Sequence, residues 1–156
     1  MIWGYGDRGY GPYRVNRIFE TSTSLDTIQI AYDCCQESRP LEAYKVFQIN
    51  KLKGFGPSFG TKFISFMTPK EEPAPILDSL VSKWIKEFGP MDCKFPDRRY
   101  TQWDIDVYSS YLNYVTQLSN KHLCHADLVE QLIFESATEI FSQGNSWLTI
   151  QSTRRS

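Results

Sequence analysis

The chain of 156 residues holds no run of about 18 apolar residues, so no membrane-spanning helix is expected. Its first residues, Met1-Ile2-Trp3-Gly4-Tyr5-Gly6, lack a basic region followed by an apolar stretch, which argues against a secretory leader. Cysteine is scarce. Of the four, Cys34 and Cys35 are neighbours in an apparent helix, a spacing that disfavours a bridge between them, and Cys93 and Cys124 are isolated. Reduced thiols and a cytoplasmic protein follow as expectations. No four cysteines cluster as an iron–sulfur site would require. There are only two histidines, and His122-Leu123-Cys124-His125 crowds its donors onto one short segment, so no metal site is expected. Net charge is also small, at −1, and does not announce a nucleic-acid binder.

What the chain has in quantity is apolar and aromatic surface. Hydrophobic residues make up 41% and aromatics 15%, enough for a real core, and this excludes a disordered chain. One compact domain over 1–156 is expected. The charge is unevenly distributed. Residues 1–62 carry eight Lys/Arg and six Asp/Glu, net +2, and residues 63–156 carry nine and twelve, net −3. Lys45, Lys51, Lys53 and Lys62 lie around one short segment, 49–66, so a local basic face is compatible with a mildly acidic whole.

The pattern predicts an all-α fold with no strand and no repeat. Residues 4–14, which alternate glycine with aromatic and charged residues, read as an ordered loop. A short helix is expected over about 13–19. A second, over about 25–37, has Ser24 or Asp26 as its cap. A third starts at Pro40, where proline suits a first turn. Pro57 starts a fourth, reaching Met67, with Phe59, Phe63 and Phe66 as a buried stripe. After the proline-rich loop 68–75, a helix begins at Ile76 or Leu77 and reaches Glu87. Asp78 stands in its first turn, and Gly89-Pro90 ends it. Residues 88–100 look irregular. Long helices follow over about 101–119 and 125–142, the last carrying Leu128, Leu132, Ile133 and Ile140 as apolar positions.

The hairpin, about 45–67, carries the chemistry. Gly54-Phe55-Gly56 allows a sharp reversal between two helices, with Leu52 as an apolar anchor, Phe55 as a plug and Gly60 as a small residue on the second helix. The N–H groups near Gly54, Gly56 and Ser58, at a helix N-terminus, suit one phosphate, and Lys53 adds charge beside them. Such a contact positions a protein on DNA without reading sequence.

In these residues the chain resembles the helix–hairpin–helix DNA glycosylase superfamily. Its 8-oxoguanine glycosylase-like branch, with compact proteins of prokaryotic defence loci, is the part it looks most like. The resemblance covers roughly 40–90. It implies an enzyme that flips a damaged base out of the stack and excises it, with AP-lyase activity where a lysine attacks the sugar C1′. It implies DNA as partner, no required cofactor, and room for a monovalent cation at the hairpin. Asp78, in Pro75-Ile76-Leu77-Asp78, matches the catalytic aspartate, which stabilises the cationic sugar. The chain departs at the lysine. Bifunctional members carry it two residues after the second glycine of the turn, and Ser58 stands there. Lys62, one helical turn on, is the candidate nucleophile. Trp103 and Asp106 are candidates for the base pocket. The alternative is a non-catalytic module, binding nucleic acid or a protein partner in an anti-phage defence system.

Overall fold

Prolines, glycines and aspartates set most of the helix boundaries. The computed structural model describes residues 10–20, 22–71, 74–90 and 104–142, and seven α-helices account for their regular structure. These are α1 (Tyr10–Phe19), α2 (Ser24–Gln36), α3 (Pro40–Ile49), α4 (Pro57–Met67), α5 (Ser79–Phe88), α6 (Ile105–His122) and α7 (Ala126–Ser142). No strand occurs among the described residues, so the all-α expectation holds. No described helix is long and apolar enough to cross a membrane. Pro40 and Pro57 open α3 and α4, where a missing N–H costs nothing.

Several boundaries differ from the sequence expectation. Tyr10 to Arg14 belong to α1 and not to a loop. The N-cap of α2 is Thr23, whose side chain makes no capping bond, and not Ser24 or Asp26. Instead its carbonyl accepts from the hydroxyl of Thr27 at 2.8 Å. α5 starts two to three residues late because Asp78 is extended (φ −119°, ψ −179°) and caps the helix instead of entering it. Asp104 caps α6 in the same way, accepting from Val107 N–H at 3.0 Å.

Two groups of helices share the core. α3 packs on α2, α4 and α6, while α7 packs on α5 and α6. Ala31, Cys34 and Cys35 of α2 and Ala43, Tyr44 and Phe47 of α3 are buried at their contact. Burial pushes the Cys35 thiol up to about 11, so it behaves as a small neutral core residue. Tyr44 of α3 meets Tyr108 of α6 with ring centroids 4.8 Å apart, and this contact joins the two groups. Desolvation raises the phenol of Tyr108 well above its ordinary value.

The phenylalanine stripe of α4 is only partly buried. At about 100° per residue the buried arc of α4 is centred near Gly60, Thr61 and Ile64, with Phe63 at its edge. Phe59 and Phe66 fall outside that arc, and Phe66 is 60% exposed. Gly60 faces α3: a Cβ there would meet Phe47 at 3.6 Å and Tyr44 at 3.7 Å, in ordinary contact. α7 repeats the pattern. Its buried residues are Val129, Ile133 and Ala137, four apart, whereas Leu128, Leu132 and Ile140 are exposed.

Candidate active site

The turn between α3 and α4 is built by one glycine. Phe55 N–H donates to Leu52 O at 3.1 Å, closing a β-turn with Gly54 at its third position at φ 82°. That is the left-handed region, which a side chain resists. Gly56 differs. It is extended (φ −80°, ψ 171°), and a Cβ there would meet nothing within 4 Å. The fold itself therefore asks for glycine at 54 and not at 56. Leu52 is buried as the anchor, and Phe55 packs between Phe47 (4.8 Å) and Phe59 (6.4 Å) as the plug. Gly60 is buried in the helix contact. Phe59 and Gly60 N–H groups both donate to Gly56 O, at 3.0 and 3.1 Å. Among the described residues, no backbone carbonyl accepts from the N–H groups of Gly54, Gly56 or Ser58. Lys53 makes an exposed ion pair with Glu20 at 3.5 Å. Leu52 O accepts one backbone hydrogen bond and Gly56 O accepts two, so Leu52 O is the carbonyl of the turn with a lone pair left for a monovalent cation.

Beyond the hairpin, a cavity of about 660 Å³ opens between α4 and α7. This volume suits a small-molecule-sized ligand. Its walls are two helical stripes. Lys62, Ser65 and Phe66 line it from α4, spaced i, i+3, i+4. Asp127, Glu130, Gln131 and Phe134 line it from α7, spaced i, i+3, i+4, i+7. Thr68 and Lys70 after α4, with Ile76, Asp78 and Val81, complete it. Lys62 and Asp78 thus share one cavity, and Ser58 does not line it. Asp106 sits exposed in the first turn of α6 and lines neither this cavity nor a second one of about 550 Å³ beside the hairpin. Trp103 lies outside the described residues.

The backbone leading into Asp78 is held by side chains from three helices. Tyr108 Oη donates to Pro75 O at 3.3 Å and Tyr111 Oη to Ile76 O at 2.9 Å. Thr61 Oγ1 donates to Leu77 O at 2.7 Å. Ile76 N–H donates to Glu130 Oε2 at 2.8 Å. Asp78 then caps α5: its Oδ1 accepts from Leu80 and Val81 N–H, each at 2.9 Å. The two capping bonds thus use one oxygen of a carboxylate that lines the cavity.

Three lining residues carry no flag in the sequence. Phe66 and Phe134 are aromatic walls, 60% and 43% exposed. Glu130 is a partly buried carboxyl. Burial raises it from 4.5 to about 7, against the Ile76 N–H bond, and Asp127 and Asp78 raise it further while Lys62 lowers it. The available signal was position: Glu130 borders the buried arc of α7 formed by Val129, Ile133 and Ala137. Among the described residues no group of three or more His, Cys, Asp or Glu is placed to hold a metal.

Over residues 1–134 the chain matches the model of a family described as "Putative 8-oxoguanine DNA glycosylase OGG-like protein". No curated protein and no solved structure matches it.

Proposed function

Because the chain belongs to the 8-oxoguanine DNA glycosylase OGG-like family, we propose that it excises 8-oxoguanine or a related modified purine from DNA and nicks the strand as an AP lyase. The observation that carries this reading is the shared cavity of Lys62 and Asp78. In it the hairpin holds a phosphate on the open N–H groups of α4's N-terminus, with Lys53 beside it. Lys62 follows one turn along the same helix, about 6 Å on. A phosphate at the hairpin thereby brings the flipped sugar toward the amine. The neutral amine of Lys62 attacks C1′ as the glycosidic bond breaks, and the Asp78 carboxylate stabilises positive charge on the sugar. Phe66 and Phe134 offer faces on which the flipped base stacks.

Lys53 is not locked by its exposed pair with Glu20, since such pairs are worth under about 1 kcal/mol and a phosphate competes with them. Ser58, at the position of the family's lysine, favours a second reading as a non-catalytic nucleic-acid- or partner-binding module in an anti-phage defence system. Borohydride trapping on an oligonucleotide carrying 8-oxoguanine separates the two. Under the first reading a covalent adduct forms and is lost in Lys62→Ala. An adduct that survives that substitution overturns the assignment of Lys62. Binding without base release supports the second reading.

A further inference from the structure

We propose that Glu130 is the general acid that protonates the departing base, an assignment that rests on the glycosylase reading above. Its geometry separates the two oxygens by task. Oε2 accepts from Ile76 N–H at 2.8 Å, so that oxygen is held as an acceptor. A proton on the carboxyl therefore resides on Oε1, the oxygen left to a ligand of the cavity. The same bond fixes the side chain two residues before Asp78, so the acid and the aspartate share one support.

Charged and titratable groups face Glu130 from every side of the cavity. Lys62 comes from α4, Lys70 from the turn after it, Asp78 from the N-cap of α5, and Asp127 from its own helix. Tyr108 and Tyr111 of α6 stand behind it, with their hydroxyls bonded to Pro75 O and Ile76 O. Two lysines thus stand against three carboxyls. With Glu130 protonated and the Lys62 amine neutral for attack, Lys70 stands against Asp78 and Asp127. Ionising Glu130 adds a further negative charge beside a polyanionic strand. Burial, the largest cause, keeps the proton on Glu130 up to about pH 7.

In the step, Lys62 Nζ forms a bond to C1′ while the bond from C1′ to the base nitrogen breaks. The electron pair leaves with the base, which takes the Glu130 proton. The products are a neutral free base, a Glu130 carboxylate and a positively charged Lys62 adduct on the sugar. No further reactant is needed. A preformed abasic site has no base to protonate: the group that leaves C1′ there is a hydroxyl, departing as water, which can take its proton from solvent.

That difference supplies the test. Glu130→Gln keeps an acceptor for Ile76 N–H and removes the proton. Single-turnover release of 8-oxoguanine is expected to fall about 10²-fold or more at pH 6.5, roughly the size of general acid catalysis. Borohydride trapping at a preformed abasic site is expected to stay within about twofold, since no base departs there and water can supply the proton for loss of the hydroxyl. The wild-type to variant rate ratio should shrink about tenfold per pH unit above pH 7, because only the wild type loses an acid. If the variant does not fold, the wild-type ratio of base release to abasic trapping should show the same fall above pH 7. Excision unchanged in Glu130→Gln, or a ratio flat with pH, overturns the assignment. Abasic trapping without base release by the wild type overturns it together with the excision reading. No trapping at all overturns the glycosylase–lyase reading itself.

Discussion

The hydroxyl of Thr61 donates to the carbonyl of Leu77 at 2.7 Å, which fastens the residue before Lys62 to the residue before Asp78. Both groups are buried, and they come from segments 16 positions apart. Of the four side-chain bonds that hold residues 75–77, this is the one that comes from the helix of Lys62. Thr61→Val keeps the shape and leaves Leu77 O unsatisfied. A loss of about 1–3 kcal/mol is expected in a urea unfolding titration. Base release should fall more than DNA affinity, because the hairpin proposed to hold the phosphate lies elsewhere.

Asp78 caps α5, and one substitution separates that cap from its proposed role in excision. Asparagine caps helices about as well as aspartate, so Asp78→Asn should change stability by less than about 0.5 kcal/mol. It removes the negative charge, so single-turnover excision should fall at least about 10²-fold. Asp78→Ala also loses the cap, and thermal unfolding should show a cost of about 0.5–2 kcal/mol.

The two hairpin glycines should respond in opposite ways. Gly54→Ala forces a side chain into φ 82° and is expected to cost about 1–2 kcal/mol of stability. Gly56→Ala meets nothing within 4 Å and should unfold like the wild type. If a phosphate approaches that backbone, Gly56→Ala weakens binding to an abasic-site oligonucleotide about tenfold, the effect of losing about 1.4 kcal/mol. Equal binding by Gly56→Ala and wild type would remove the hairpin from the DNA interface.

Glu130 links stability to pH. Its carboxyl titrates at about 7 in the folded chain, against 4.5 ordinarily. The folded state therefore holds the proton more tightly than the unfolded state. This contribution is complete below pH 4.5, declines as pH rises toward 7, and is gone above that. Other groups also titrate, so the comparison is wild type minus Glu130→Gln. That difference in Tm should fall by a few °C between pH 4.5 and pH 7.5 and then level off.

Local rules in the sequence reach some of these features and not others. The start of α4 is legible because Pro57 tolerates only a first turn, and Leu52, Gly54 and Phe55 mark the hairpin through size and conformational freedom. Asp78 is legible as a helix-start residue, though as a cap and not in the first turn. Phe66 escapes because aromatic spacing alone does not say which arc of α4 is buried. The packing of α4 on α2 and α3 decides that, and it buries Gly60, Thr61, Phe63 and Ile64 instead. On α7 the three buried residues are Val129, Ile133 and Ala137, a face chosen by α5 and α6 over the bulkier Leu128 and Leu132. Glu130 escapes for a deeper reason. Its proton affinity is a property of the tertiary cavity, and nothing within its own helix sets it.

Residues 75–77 behave as a single strand whose ladder partners are side chains. In a sheet, a neighbouring backbone supplies every bond along a strand. Here Tyr108, Tyr111, Thr61 and Glu130 supply them one by one, from three helices. Each rung comes from a separate side chain, so each can be tested by its own substitution, which a backbone ladder does not allow. Evolution, or an experimenter, can thus tune the position of Asp78 in steps of one side chain. Hydrogen exchange at Ile76 N–H reports how firmly the whole support is closed.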